Sequence, residues 1–476
     1  MNRDMLSRFY AEIKIVLPLL LIAYFVLSMP YWLRNNDELL IGREAYNYLR
    51  AAEQPFNGHD DLSYGGRQAI FNAYPLALNL FSKAFGIGLI ETSKILPIIF
   101  GLISVLLFYF ILKRLELDNI TVFVSCIVLI LSPPFIYLFT VSNTYIVPVS
   151  IALLSFLLLL HDKKFLAYVL LFMTLFFGIV PFLSALGLLA IYSIKNRNYK
   201  SLYMLLLLAL LLIPIIKMGM PELVGFKKMQ EGINFRVQMF ISEFGSEIGI
   251  SMFAVILSLF GLRGLWQKKY EHFYEYLAII LLAMAAFFDI KIIFYLNFFV
   301  SILAGIGIAK MINQGWGSLL IRLIIGLMLT MGLVSAMVFG VGHLAKSLPN
   351  KEIIESMEFI EKESKGDAVV ASYYTGGHWI NAIGKRKNVM DENFFYAPDV
   401  NQRYDDLNRL FHAKEIERAM EIIEKYNIRY IWIDNAMKNG LVWNEEDEGL
   451  LFLLGASNNF KKEYSNDYIE IWKVVG

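Results

Sequence analysis

Acidic and basic side chains crowd the stretch NNDELLIGREAYNYLRAAEQPFNGHDDLSYGGRQAIFNAYP, residues 35–75. Its carboxylates are Asp37, Glu38, Glu44, Glu53, Asp60 and Asp61, and Arg43, Arg50 and Arg67 stand between them. Carboxylates of this kind can move protons or ligate hard cations. Guanidinium groups can hold phosphate. The simpler reading is a solvated loop with ordinary ion pairs. Two features argue for more. Connections in compact proteins usually run about 4–6 residues, and much longer ones tend to be functional. The mixture of acids, tyrosines and a YGGR turn also suits a folded surface better than a linker.

Three further stretches carry candidate groups. In the segment 218–247, Lys227, Lys228 and Arg236 are placed to meet anionic lipid headgroups or a phosphate. There Met239, Phe240, Phe244 and Ile248 are spaced to form the apolar face of an interfacial helix. Glu243 and Glu247 would lie one helical turn apart before an apolar run, where the helix dipole also favours acids. Asp289 and Lys291 share a very short polar turn between two apolar runs. Charges so close to hydrocarbon are costly, and are usually paired or functional. The simpler reading lets Lys291 snorkel outward; the functional one has it wait for a lipid phosphate. The fourth stretch is ASYYTGGHWINAIGKRKNVMDE, residues 371–392, with paired tyrosines, paired glycines and a His-Trp pair. It reads either as an acceptor groove or as a turn joining a strand to a helix.

The elements that position these groups are mostly membrane-grade. The chain has 476 residues, 57% hydrophobic and only 18% charged. Soluble domains carry about 25% charged residues. A window of about 17–25 apolar residues gives about eleven spans. They fall near 13–33, 93–112, 120–139, 145–160, 164–179, 181–195, 200–217, 248–266, 273–289, 291–310 and 318–342. The first is read as a retained span. Basic residues Lys113, Arg114, Lys163, Lys164, Lys195, Arg197, Lys200, Arg263, Lys268, Lys269, Lys310 and Arg322 fall in alternate loops, which sets those loops and the N-terminus on the cytoplasmic side. Residues 1–343 then form a transmembrane part with outer loops 34–92 and 218–247. Residues 344–476 form an extracytoplasmic α/β domain, in which DAVVAS, IRYIWID and YIEIWKV read as strands and AKEIERAMEIIEKY as an amphipathic helix. A net charge of +1 offers no basic surface for nucleic acid. One cysteine, Cys126, allows no disulfide within the chain, and 6 scattered histidines do not suggest zinc.

Taken together, these stretches resemble the catalytic subunit of oligosaccharyltransferase in its single-subunit archaeal and bacterial form, a GT-C membrane glycosyltransferase. EAYNYLR (44–50) is similar to the family's acidic-aromatic motif ending in Arg, with Glu44 in the acidic place. DDLSYGGR (60–67) and Tyr74-Pro75 follow as in the family. FISE (240–243) resembles the family's T/S-I/V-x-E motif, with Phe240 in place of the hydroxyl residue. Lys291 stands near the place of a lipid-phosphate arginine, without its bidentate fork. YYTGGHWI (373–380) resembles the family's W-W-D-Y-G region, with Thr375 where the Asp belongs. In FTVSNTYIVP (139–148), Asn143 stands where the family has an acid.

The resemblance implies a polytopic, GT-C-like α-helical membrane enzyme at the cell membrane. It would transfer a sugar or oligosaccharide from a polyprenyl-(pyro)phosphate donor to a protein or glycan acceptor on the outer face. It implies Glu44, Glu243, Asp60 and Asp61 as catalytic residues, and a divalent cation (Mg2+ or Mn2+) on Glu44 and Glu243, with Asn143 or Asp60 helping. It implies Lys291, Arg67 and Arg236 at the donor phosphate, and Tyr373, Tyr374, His378 and Trp379 at the acceptor. An alternative is a GT-C enzyme moving a single sugar from a polyprenyl monophosphate to a lipid, glycan or protein, which NDE at 36–38 also fits. A transporter or flippase ranks last, because the spans are nearly free of charge and no half-repeat is visible.

Overall fold

The structure is a computed structural model. It describes residues 3–34, 39–68, 72–210, 238–314, 316–393, 397–445 and 447–475, with the side chains of residues 3–11 and of Gln68 left aside. Asp37, Glu38, Lys227, Lys228 and Arg236 therefore lie outside the described residues. The chain is mostly helical and divides into two compact units.

Unit 1 takes in Met1–Ile41, Asn72–Met218 and Lys228–Ser347. Among the described residues, four helices are long and apolar enough to cross a bilayer: Glu12–Arg34, Leu89–Arg114, Ile290–Asn313 and Leu319–Ala345. A fifth span results if Asn119–Ile130 and Pro133–Thr140, bent by 60° across Ser132, are taken as one. Pro133 and Pro134 supply the bend, since proline begins helices readily but cannot donate within them. The remaining apolar helices, such as Ile146–Leu160 and Ile179–Lys195, are shorter. The helix Ile293–Asn313 is the hub, packed against Met252–Leu265 and Asn119–Ile130. Backbones meet there: a Cβ on Gly261 would lie 1.9 Å from the Leu303 carbonyl, and one on Gly307 would lie 2.4 Å from that of Leu257. Close approach through small residues is how apolar helices associate without a hydrophobic drive between them.

Unit 2 takes in Gly42–Phe71, Gly219–Lys227 and Leu348–Gly476. Its sheet has five strands: β1 (Val369–Ala371), β2 (Lys387–Asn388), β3 (Ile428–Asp434), β4 (Phe460–Ser465) and β5 (Ile469–Val474). They lie in the order β2-β1-β3-β5-β4, with β1 parallel to β2 and β3, and β5 antiparallel to β3 and β4. Ile431 and Ile433 of β3, together with Phe411, Trp443 and Leu450, are fully buried in one apolar cluster. The helix Ile416–Lys425 lays Ala419, Ile422 and Ile423 onto it, the helical stripe legible in AKEIERAMEIIEKY.

The stretch 371–392 forms the β1-to-β2 crossover. It runs through a 3-10 turn at Tyr374–Gly376 into the helix Gly377–Ala382. Segment 42–68, expected as an outer loop of the membrane part, packs within unit 2. Its helix Arg43–Glu53 lies on Gly377–Ala382. Ser63 pairs in parallel with Asn388, with Tyr64 N–H to the Asn388 carbonyl at 2.9 Å and Asn388 N–H to the Leu62 carbonyl at 3.0 Å. The segment thus extends the sheet past β2. The YGGR turn holds Gly65 at φ 67° and Gly66 at φ 72°, and a Cβ on Gly66 would strike the His59 ring at 2.1 Å. Glycine alone adopts that geometry at no steric cost.

Candidate functional site

In unit 2 the candidate residues of segment 42–68 split into two groups. Asp60 and Arg67 are interior. The Arg67 guanidinium is 8% exposed; its Nε and Nη2 donate to Asp60 Oδ2 at 3.0 and 2.7 Å, and its Nη1 donates to Asp391 Oδ1 at 2.6 Å. Asp60 Oδ1 accepts from Arg50 Nη2 at 2.5 Å and from the Leu62 N–H at 3.2 Å. The Asp391 side chain is fully buried, and its Oδ2 also accepts from Asn381 and Asn388. Burial raises the pKa of Asp391, yet Arg67 and then His378 outweigh it, and the carboxyl titrates below the usual range. Asp60 behaves alike: burial raises it, and Arg67 and Arg50 bring it below its ordinary value. Arg67, expected at a donor phosphate, thus has its fork spent on two carboxylates. Asp61 is exposed beside His59 at 3.5 Å.

Both carboxyls bind protons less readily folded than unfolded. Their stabilisation is complete above the unfolded carboxyl pKa near about 4 and is lost as pH falls through the depressed folded values. Unit 2 should therefore loosen below about pH 4 and not at neutral pH. Tryptophan fluorescence during acid titration checks this, since Trp379, Trp432 and Trp443 are fully buried in that unit.

The second group in unit 2 gathers around the N-terminus of the helix Arg43–Glu53. Glu44 sits in its first turn and accepts from Tyr48 Oη at 3.3 Å. Arg43 Nη1 meets Glu392 Oε1 at 2.9 Å, and His378 Nε2 lies 3.7 Å from Glu392 Oε2. The rings of Tyr373 and Tyr374 are 4.4 Å apart. Burial raises both phenols, and they remain neutral hydrogen-bonding groups. Trp379, expected at the acceptor, is 1% exposed and packs edge-on against Trp432 at 6.2 Å. His378 is 4% exposed. Of the YYTGGHW set, Tyr374 and Thr375 are the half-buried members. Arg43 and Glu392 were missed as site residues. They lie in the stretches 35–75 and 371–392, but nothing local signals that residues so far apart in the chain pair.

Unit 1 holds Glu243 and Lys291. Glu243 lies in the 3-10 turn Ser242–Phe244. Its Oε1 accepts from Ser251 Oγ at 2.6 Å, and its Oε2 accepts from Met252 N–H and Ser242 Oγ, both at 2.9 Å. Burial raises its pKa, and those three donors more than reverse the effect, leaving it below the usual value. The carboxylate thus caps the helix Met252–Leu265, where the dipole favours an anion. The expected interfacial helix through Phe244 and Ile248 does not form. The chain reverses at Gly245 (φ 98°), and Ile250 bridges back to Ile241. Glu243 and Glu247 are consequently not one helical turn apart. Replacing Glu243 by Ala should cost about 1–2 kcal/mol of stability by orphaning these donors, measured by thermal melting in detergent.

Lys291 opens a second constellation in unit 1. Asp289 Oδ1 accepts the Lys291 N–H at 2.9 Å, capping the turn, and Asp289 Oδ2 accepts from Tyr145 Oη at 3.0 Å. Lys291 Nζ stands 5.5 Å from the centre of the Tyr145 ring, a cation–π distance. Tyr145 is positioned by Asn143, whose buried amide donates to the Leu138 and Val141 carbonyls and accepts the Tyr145 N–H at 2.9 Å. Tyr145 was missed as a site residue, because a tyrosine in an apolar run carries no signal of its own.

Among the described residues, no group of three His, Cys, Asp or Glu could hold a metal ion. The chemistry of the individual donors agrees. Three donors occupy Glu243, both oxygens of Asp60 are bound, and the Asn143 oxygen is taken by Tyr145. The oxygens of Glu243, Asp60 and Asn143 are thus engaged by protein donors.

Comparison with known proteins gives the fold a context. No family model matches the chain. Over 81 residues it is 33% identical to dolichyl-phosphooligosaccharide-protein glycotransferase 2 of Archaeoglobus fulgidus, a match spanning 17% of this chain and 12% of that protein. The structure is similar to archaeal oligosaccharyltransferase AglB from Archaeoglobus fulgidus, solved with an inhibitory peptide and a dolichol-phosphate. The TM-score is 0.63 at 13% identity, covering 90% of this chain and 70% of that one. It is also similar to arabinofuranosyltransferase AftD from Mycobacteria, with a TM-score of 0.60 at 11% identity over 97% of this chain and 40% of that one. The fold of this chain resembles that of GT-C membrane glycosyltransferases.

Proposed function

We propose that this chain is a multi-pass membrane glycosyltransferase that moves a sugar or oligosaccharide from a polyprenyl-linked phosphate donor to an acceptor on the outer face. The observation that carries the reading is the fold likeness across 90% of the chain to an enzyme solved with a dolichol-phosphate and a peptide. In this reading the shorter apolar helices also cross the membrane, giving about eleven spans. The N-terminus is then cytoplasmic, and the α/β part at 344–476 is extracytoplasmic.

The acceptor nucleophile attacks the anomeric carbon of the donor. A bond from the acceptor heteroatom to that carbon forms, the carbon–oxygen bond to the lipid phosphate breaks, and the acceptor proton passes to a base. We assign the base to Glu44, half-buried at a helix N-terminus. The departing phosphate takes up negative charge, and Lys291 is the cation we assign to it. Arg236 remains a proposed second cation outside the described residues. Tyr373 and Tyr374 are the acceptor contacts we retain. Arg67 and Asp60 are assigned to holding segment 42–68 in place, and Glu243 to shaping the 240–250 turn.

Lys291→Met should lower transfer by about 10²–10³-fold, and Lys291→Arg should retain most of it, since a cation at the leaving phosphate is what matters. Initial rates with radiolabelled lipid-linked sugar check both variants. The second reading, single-sugar transfer from a polyprenyl monophosphate, is favoured by the likeness to an arabinofuranosyltransferase over 97% of this chain. Incubating purified protein with labelled monosaccharide-phosphate and oligosaccharide-pyrophosphate lipids, each with and without EDTA, separates the readings. The labelled product identifies donor and acceptor class. No labelled product from any lipid-linked sugar would overturn both.

A further inference from the structure

Unit 1 holds a cavity of about 390 Å³ whose lining starts at Val149 and Tyr295, a turn beyond Tyr145 and Lys291, and runs to Lys195 and Glu275. One wall is a single stripe of the helix Ile293–Asn313: Tyr295, Phe298, Phe299, Ile302, Leu303 and Ile306. That stripe advances along the helix by roughly 16 Å at 1.5 Å per residue. Its shape is a slot, suited to an extended hydrocarbon chain. The other walls come from the helices Ile146–Leu160, Ile179–Lys195 and Phe273–Ala286, and are almost wholly apolar.

One end of the slot is polar, where the helix Ile179–Lys195 finishes and the helix Phe273–Ala286 begins. Lys195 there is paired with Glu275 Oε1. The other carboxylate oxygen, Glu275 Oε2, and the hydroxyl of Tyr276 are both buried and have no hydrogen-bond partner among the described residues. Both residues line the cavity. A buried carboxylate oxygen and a buried phenol oxygen without partners are costly, because neither regains the hydrogen bonds it had in water. Their presence at a slot's mouth points to a donor that arrives with a ligand. Lys195 and Tyr192 line the same mouth, so one ammonium group borders it.

We propose that this slot binds a phospholipid with a primary-amine headgroup. One acyl chain fills the apolar stripe. The ammonium donates to Glu275 Oε2 and engages the Tyr276 hydroxyl, and the phosphate meets Lys195. Charge complementarity selects this occupant. The Lys195–Glu275 pair is neutral as a whole and suits a zwitterion, and the orphaned Glu275 Oε2, an acceptor only, calls for an N–H donor, which a quaternary choline headgroup lacks. The site is at the opposite end of the same helices from Lys291. It does not depend on the chain being a glycosyltransferase.

The test uses the full chain, purified in detergent and reconstituted in nanodiscs with equal phosphatidylethanolamine, phosphatidylglycerol and phosphatidylcholine. Lipid retained after release is then read by native mass spectrometry. About one phosphatidylethanolamine per chain should remain. Glu275→Gln should cut its retention by about tenfold, the loss of one charge-assisted hydrogen bond. Tyr276→Phe, which removes one oxygen and leaves packing intact, should cut it several-fold. Ile279→Trp, which fills the slot, should abolish it. Thermal melting of each variant confirms folding. Equal retention of phosphatidylcholine, unchanged retention in Glu275→Gln and Tyr276→Phe, or displacement by added polyprenyl phosphate would each overturn the proposal. Because the readout is bound lipid, it is separable from any result on sugar transfer.

Discussion

Arg67→Ala should cost about 3–5 kcal/mol of stability, the largest single-residue loss expected in unit 2. The reason is asymmetric. The fully buried Asp391 would keep its charge and lose the guanidinium 2.6 Å away, and Asp60 would lose two of its donors. Breaking one partner of a buried pair strands the other, which costs far more than the intact pair contributes. The measurement is thermal unfolding in detergent followed by the buried tryptophans. Arg67→Lys should recover only part of the loss, because one ammonium cannot reproduce a fork that bonds two carboxylates at once. Asp391→Asn paired with Arg67→Met should be milder than Arg67→Ala alone, since the buried Asp391 charge is removed with its partner. An Arg67→Ala melt within about 0.5 kcal/mol of the parent, the range of ordinary surface changes, would refute the assignment of Arg67 to holding the segment.

Glu44→Gln should lower sugar transfer by about 10²–10⁴-fold, the usual contribution of a positioned general base. Its melting curve should stay near that of the parent. Glu44 is half-buried, and the amide keeps an acceptor for the 3.3 Å hydrogen bond from Tyr48. The two variants contrast: Glu44→Gln loses chemistry with the fold intact, and Arg67→Ala loses fold. Transfer at the parent rate by Glu44→Gln would remove Glu44 from the reaction. In that case the acids at 36–38 become the next candidates.

Hydropathy is a local property, so the long apolar helices were legible. The stretches expected near 13–33, 93–112, 291–310 and 318–342 correspond to helices long enough to span. Strand signals were legible where β-branched and aromatic residues run together, as in IRYIWID, which is β3, and in YIEIWKV, which contains β5. FKKEYS, which forms β4, was not recognised. Its Lys461 and Lys462 are exposed on an edge strand. Lysines on an edge discourage pairing with other chains and also mask the strand from propensity. The residue types of the candidate site were visible as well: an acid-rich stretch, a short Asp289-Lys291 turn and a tyrosine pair.

What only the tertiary structure decided is which of those residues act on solvent and which on each other. Segment 42–68 belongs with the C-terminal sheet because Ser63 pairs with Asn388 and Arg67 with Asp391. Glu243 caps a helix because Ser251 and Met252 fold back onto it, and Asn143 spends its amide on a turn. Trp379 is a core residue because Trp432 lies against it. Periodicity describes the neighbours of a residue along the chain. Ion pairs, edge pairing and burial between distant segments leave no periodic trace, since their energy depends on positions that exist only once the chain has folded.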